Sequence, residues 1–304
     1  MNQIPITIEQ KYKNKFYKLY GNYGNQFITG SMRISGDWKD HIDANEKISS
    51  MSISLKNNNI HGVVKFRLLI PKTKNSENEI FWSILMEQIG YPVPYKSFVN
   101  VAFNGKKHIF IFEEKPEKEF LESYSYRESP ILEFDERQLW NIRESFYRKE
   151  GIVEKNLPQL KIKNSDFLKN RTAFKIAYQA MNPKNLESEA ITNFDDANID
   201  YARHGLINHN RKYIYDVMYN NYIPIYFDGM FSIKKFECNP KFLDNYKKNI
   251  HKIDLIKSKF IKRTLNMHEF TKNHACLSNL IINKNSVEGN IFKTIRPLND
   301  FSHN

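Results

Sequence analysis

The chain has only two cysteines among its 304 residues, Cys238 and Cys276, and neither CxxC nor Cys/His spacing surrounds them. That excludes a disulfide-stapled scaffold and a cysteine-based zinc site, and it is compatible with a reducing compartment. No run approaches the roughly 18 apolar residues of a membrane-crossing helix. The opening Met-Asn-Gln-Ile-Pro-Ile-Thr lacks the basic-then-apolar order of an export signal. These absences predict a cytoplasmic chain without a membrane span. Internal repeats and long low-complexity tracts are missing too. So is GxGxxG spacing, to which Gly21-Asn-Tyr-Gly24 and Gly30 are the nearest approach.

What is present is a globular composition. Hydrophobic residues make up 40% and aromatics 14%, too much apolar surface for a disordered chain. The length suffices for one large domain or two lobes with a real core. Acidic residues are outnumbered, 34 against 46 Lys and Arg, which gives a net charge of +12. Such a surplus favours a polyanionic partner: nucleotide, nucleic acid, anionic lipid or acidic polymer. The basic residues are spread along the chain, and Lys, Asn and Ile are all abundant, as AT-rich coding would produce. No RNA- or DNA-binding motif accompanies the charge, so no specific nucleic-acid partner is expected.

The first third alternates like sheet. Met51–Leu55 and Ile60–Ile70 flank Asn57-Asn58-Asn59 and predict a hairpin. Val64, Phe66, Leu68 and Ile70 share one face of the second strand, and Lys65 and Arg67 share the other. Pro71 ends that strand. Ile80, Phe81, Ile84, Leu85 and Ile89 recur at helical spacing, predicting a helix from about Asn78 to Ile89 with Gly90 as its stop. Phe98–Phe103 and His108–Phe112 join through Asn104-Gly105, a strong hairpin signal. Glu113-Glu-Lys-Pro-Glu-Lys-Glu119 is a charged connector, and helices are expected beyond it over 136–148, 165–181, 194–201 and after Pro240. Strand returns between Arg211 and Phe227. The plan is α+β and bilobal: a β-rich N-lobe with one helix over residues 1–115, and a mainly helical C-lobe with a small hairpin over 116–304.

Three constellations carry chemistry. A basic residue on the polar strand face, Lys65 or Arg67, precedes a helix bearing Glu79 and Glu87. A strand cation near a nucleotide needs a carboxylate to hold it in one place. Glu113 and Glu114 sit where a connector offers backbone groups to an adenine edge, although acidic residues at a helix start serve its dipole equally well. Lastly, His204-Gly205, Asn210 and Asp228-Gly229 surround two short apolar strands. A loop Asn and a strand-end Asp are the order in which kinase-type phosphotransferases place two ligands for Mg²⁺. One carboxylate and one amide are a hard-oxygen set that suits this ion.

Over about Ser49 to Phe231 the chain resembles the CotH-like kinase family, the atypical spore-coat-type protein kinases of bacteria. The resemblance lies in Phe66-Arg-Leu-Leu-Ile-Pro71, Asn78-Glu-Ile-Phe81 with Gly90 after it, Val99-Asn-Val-Ala-Phe-Asn-Gly105, Ile111-Phe-Glu-Glu114, Asn210 through Tyr215, and Ile225-Tyr-Phe-Asp-Gly229. It implies a bilobal protein-kinase-like fold and Mg²⁺- (or Mn²⁺-) dependent transfer of the ATP γ-phosphate to a protein Ser/Thr or a surface-polymer hydroxyl, in the cytoplasm or at the cell envelope or spore. It further implies that Asn210 and Asp228 hold metal, that Arg67 (or Lys65) contacts phosphate with Glu79 behind it, and that Glu113 and Glu114 lie on the adenine side. One departure matters: His204-Gly-Leu stands where a catalytic-loop Asp is expected, and Asp196 and Asp200 are the nearest upstream carboxylates. His204 is then the candidate base, imidazole being the side chain that exchanges protons near neutral pH. The departure keeps a second expectation open, a catalytically inactive nucleotide-binding scaffold; a polyanion-binding protein is a third.

Overall fold

A computed structural model describes residues 8–134, 160–164, 188–207 and 210–231, apart from Glu9 and Asn104, together with Ile176, Ala180 and Met181. The architecture is mixed α+β in two compact units. One comprises the described residues up to Ile89 together with Pro94–Lys115; the other comprises Gly90–Val93 and the described residues of Pro116–Phe231.

The first unit opens with the short helix α1 (Gln10–Lys13), and its main body is one antiparallel sheet. The strands are β1 (Tyr17–Tyr23), β2 (Gln26–Ile34), β5 (Met51–Leu55), β6 (Lys65–Leu69), β7 (Lys96–Phe103) and β8 (Lys106–Glu114), in spatial order β1-β2-β5-β6-β8-β7. A minor pair, β3 (Ile42–Asp43) and β4 (Ile48–Ser49), lies between β2 and β5 in sequence. The expected hairpin of β5 and β6 is present, with Met51 opposite Leu68 and Ile53 opposite Phe66. Its second strand starts later than the apolar pattern suggested. Ile60 and Val63 close a tight bridge first, so the pairing of long strands begins at Lys65. Alternation then sorts the faces as expected. Phe66, Leu68 and Ile70 are buried with Ile53, Met51, Val99, Phe110 and Phe112 in one cluster, each full burial contributing about 1.5–3 kcal/mol. Strands β7 and β8 pair as the expected hairpin, both longer than the apolar runs alone indicated, and Gly105 ahead of β8 takes φ +79°.

The expected helix is α2 (Glu77–Gln88), and nine of its twelve residues are buried, Glu79 and Ser83 among them. A helix enclosed on nearly every side belongs to an interior and not to a surface. Gly90 follows at φ +107°, a conformation that favours glycine at a helix stop.

In the second unit, α3 (Lys118–Ser123) precedes a four-stranded antiparallel sheet in the order β10-β9-β11-β12. The strands are β9 (Ile131–Phe134), β10 (Leu160–Ile162), β11 (Lys212–Asp216) and β12 (Asn221–Ile225). Each face of this sheet has its own core. Leu132, Tyr213, Tyr215 and Tyr222 bury with Ile191 and Ala180 on one side; Ile131, Ile214 and Ile225 bury with Phe120 and Leu121 of α3 on the other. Residues 90–93 are tied into this unit: the Tyr124 hydroxyl accepts from Val93 N–H at 2.9 Å and donates to Val93 C=O at 3.0 Å. Tyr91 meets Phe194 edge-on at 5.0 Å.

Helix α4 (Glu189–Asn198) starts earlier than the expected span from Phe194. Ser188 caps it, its hydroxyl accepting from Ile191 N–H at 3.4 Å. The helices expected over 136–148 and after Pro240 lie outside the described residues, as does most of that over 165–181. Among the described residues of the second unit, the four-stranded sheet is accompanied by α3, α4 and one tight helical turn over Arg203–Leu206. No described helix is long and apolar enough to cross a membrane.

Candidate functional site

In the first unit, strand register aligns charged residues across the sheet. Arg33 of β2 lies opposite Ser52 of β5, Ser52 opposite Arg67 of β6, Arg67 opposite Glu113 of β8, and Glu113 opposite Lys96 of β7. Cross-strand neighbours share a face, so one polar row runs over five strands on the side away from the Phe66–Phe112 core. A second row follows it, with Ser31 opposite Ser54 and Ser54 opposite Lys65. The Arg67 guanidinium donates to Glu113 Oε1. Lys96 Nζ donates to Glu79 Oε1 at 2.6 Å and lies 3.6 Å from Glu113 Oε2.

This arrangement extends the sequence reading at several residues. Of the two acids on α2, Glu79 is enclosed and Glu87 is half-buried. The cation seated on Glu79 is Lys96, and the carboxylate bonded to Arg67 is Glu113. Lys96 had no sequence signal, because it sits one residue beyond Tyr95, outside the apolar run that marks the strand. Glu113 and Glu114 close β8 and are buried, 0% and 4% exposed, where a charged connector would place them in solvent. Glu114 Oε2 accepts from Tyr95 N–H at 3.0 Å. The connector itself begins at Lys115, whose N–H donates to Lys65 C=O at 3.0 Å and whose ammonium bonds Ser52 Oγ. Lys65 and Arg67 therefore share the polar face with Lys115, Ser52 and Ser54.

In the second unit, the His204 loop and the end of the β12 strand run against each other. Arg203–Leu206 forms one tight helical turn. Gly205 packs so closely that a Cβ there would lie 2.9 Å from Phe227 O and 3.2 Å from Gly229 Cα. This approach brings His204 to Asp228: Nδ1 of the imidazole lies 2.8 Å from Asp228 C=O and donates to it, and lies 3.7 Å from the Asp228 carboxylate. Asn210 Nδ2 donates to His204 C=O at 2.9 Å. With its nitrogen so engaged, the carbonyl oxygen is the polar atom of the Asn210 amide able to ligate a cation. His204 thus bridges the two residues expected to hold metal.

Asp228 adopts φ +53°, a left-handed backbone that costs a non-glycine residue about 1 kcal/mol and collects at functional sites. Its side chain is 13% exposed and that of Asn210 is largely enclosed. Two hard oxygens, one of them charged, fit the donor preference of Mg²⁺, which keeps most of its shell for water and phosphate. Among the described residues no group of three or more His, Cys, Asp or Glu side chains stands ready for a metal, so the pair, not a cage, is the candidate.

Asp196 and Asp200, the carboxylates nearest upstream, sit at the end of α4 and just beyond it. The acid that reaches the loop is Asp195, which takes both terminal nitrogens of Arg211 at 2.9 and 2.8 Å. Arg211 Nε also donates to Leu206 C=O at 2.7 Å, so the guanidinium fixes the loop on one side of Asn210 while His204 fixes the other. A bidentate pair 16 residues apart leaves no periodic trace in the sequence.

Beside this loop lies a further charged cluster. Glu133 of β9 faces Lys161 and Lys212 in cross-strand register. It binds Lys212 at 2.6 Å and lies 3.4 Å from both Lys161 and Lys163. Burial alone would push its carboxyl up, but Lys212, Lys163 and Lys161 together hold it far below the usual range. Lys212 also stacks over Phe227 at 4.3 Å, which seats β11 against the residue preceding Asp228. Comparison of the sequence with family models and with curated proteins gives no match.

Proposed function

We propose that the protein is an atypical, CotH-like kinase that transfers the ATP γ-phosphate, with Mg²⁺ or Mn²⁺, to a protein Ser/Thr or surface-polymer hydroxyl. The observation that carries this reading is the anchoring of Asn210 and Asp228 on one residue, His204, whose backbone C=O accepts from the Asn210 amide and whose imidazole donates to the Asp228 C=O. Phosphoryl transfer through a loose transition state depends chiefly on positioning and charge neutralisation. Two residues with hard oxygens held by a shared support, one of them on strained backbone, have the character of a pre-set metal seat. The metal, when bound, would neutralise charge on the phosphates. Asn210 Oδ1 and the Asp228 carboxylate would hold it. The polar face of the first unit supports the same reading, because Arg67 offers a guanidinium steadied by Glu113, with Lys65 and Lys115 on the same face. Glu79 is assigned to the support of this cationic group, and Glu113 and Glu114 to the edge at which the chain leaves β8.

The measurement is Mg²⁺-dependent ATP hydrolysis and autophosphorylation by the wild type and by Asp228→Ala. Loss of both in the variant, with thermal unfolding unchanged, is the expected result. Undiminished activity removes the central claim.

A second reading, a nucleotide-binding scaffold without turnover, has one observation in its favour. His204 Nδ1 is engaged in tying Asp228 to the loop, which gives the candidate base a supporting role. Calorimetric titration with ATP and Mg²⁺ beside a labelled-phosphate transfer assay separates the two: binding without transfer selects the scaffold.

A further inference from the structure

We infer that Lys96 is a positioning residue, a buried ammonium that fixes Glu113 and, through it, aims the guanidinium of Arg67 at an anionic phosphate chain. The inference rests on the nucleotide reading above and adds to it a residue that no sequence motif marks.

The four side chains Glu79, Lys96, Glu113 and Arg67 alternate in charge and touch in that order. Glu79 Oε1 accepts from Lys96 at 2.6 Å, Lys96 lies 3.6 Å from Glu113 Oε2, and Glu113 Oε1 accepts from Arg67. Glu79, Lys96 and Glu113 have side-chain exposure of 0%, whereas Arg67 has 20%. The series therefore has an enclosed end on α2 and a single end open to solvent, on Arg67. Register explains why it is straight: Arg67, Glu113 and Lys96 are successive cross-strand partners on one face.

An ammonium this deep is costly unless carboxylates compensate it, so its retention in the first unit's interior calls for a consequence. Glu113 supplies one. Each of its oxygens has a different cation at hand, and the pull of Lys96 on Oε2 sets the plane that Oε1 presents to Arg67. A long, flexible arginine side chain has much rotamer freedom to lose. Restraining it in advance leaves less freedom to lose when an anion binds. Without Lys96 the Glu113 carboxylate keeps only Arg67 of the two cations, turns both oxygens toward it, and competes with an incoming phosphate for the same donors.

The test is a double-mutant cycle on ligand affinity, read by titration calorimetry at fixed Mg²⁺ and ionic strength. ATP and adenosine are the probes, and wild type, Lys96→Met, Arg67→Ala and the double variant are the proteins. Lys96→Met is expected to weaken ATP binding about tenfold while leaving adenosine within about twofold, and the double variant to be no weaker than Arg67→Ala alone. Additive losses, or equal losses for ATP and adenosine, assign Lys96 to general stability and overturn the inference. Should Lys96→Met not fold, Glu79→Gln enters the same cycle, since it keeps the hydrogen bond but removes the charge that holds Lys96. It is expected to change the ATP-to-adenosine ratio in the same direction, and an unchanged ratio overturns the inference. A wild type that binds no ATP sinks the nucleotide reading itself, a result distinct from either outcome.

Discussion

Replacing Gly205 with alanine tests the packing that assembles the second unit's candidate metal ligands. Two effects of opposite sign compete. Where backbone is relaxed and space is free, Gly→Ala stabilises by about 0.4–1 kcal/mol, because the unfolded chain loses freedom. At Gly205 the backbone does not require glycine, since its φ is not among the positive values of this chain. Space decides instead. The added methyl would stand 2.9 Å from Phe227 O and 3.2 Å from Gly229 Cα, both backbone atoms that cannot swing aside as a side chain can. Forcing an extra carbon into a closed site costs about 1–3 kcal/mol, so the net expectation is destabilisation by about 1–2 kcal/mol after the entropic gain. For a cooperative unit of 150–250 residues each kcal/mol lowers Tm by about 2–4 °C. The displaced segment carries Asp228, so on the kinase reading proposed above Mg²⁺-dependent ATP hydrolysis should fall more steeply than stability. Scanning calorimetry and the hydrolysis assay, run on the same preparations, provide the two readings. A Tm equal to or above that of wild type would refute the reasoning, because it would mean that the loop and the 227–229 segment are not in the contact described.

Glu133→Gln should remove an acid-sensitive component of stability. The folded carboxyl titrates below its ordinary value of 4.5, so its contribution is present above that value and drains away as pH falls toward the folded one. Urea unfolding of wild type should therefore weaken steadily below pH 4.5, with a shallower dependence in the variant; parallel curves would contradict the assignment. Tyr124→Phe deletes a hydroxyl that serves both Val93 N–H and Val93 C=O. It should lower unfolding free energy by about 1–3 kcal/mol, measured by denaturant midpoint, and an unchanged midpoint would show that water replaces the hydroxyl without cost. Tyr222→Phe removes the 2.6 Å bond to Ala180 C=O inside a closed core, with an expected loss of about 1 kcal/mol in the same assay.

What the sequence determined by itself is the part of the structure that depends on neighbours in the chain. Period-two alternation placed Phe66 and Leu68 on one face and Lys65 and Arg67 on the other. Asn104-Gly105 marked a hairpin, Gly90 a helix stop, and the apolar strands after Asn210 a two-stranded pairing. Only the tertiary structure decided which charges meet. Lys96 and Glu79 are 17 positions apart and Arg67 and Glu113 are 46 apart; no local pattern couples them, and only strand order brings them into one row. The same holds for Arg211 with Asp195, and for Gly205, whose need for a missing side chain arises from backbone that follows it by more than twenty residues. Periodicity reports which face a residue occupies. Partner choice is a property of the folded sheet, since desolvation makes a buried charge depend on whichever opposite charge the topology delivers.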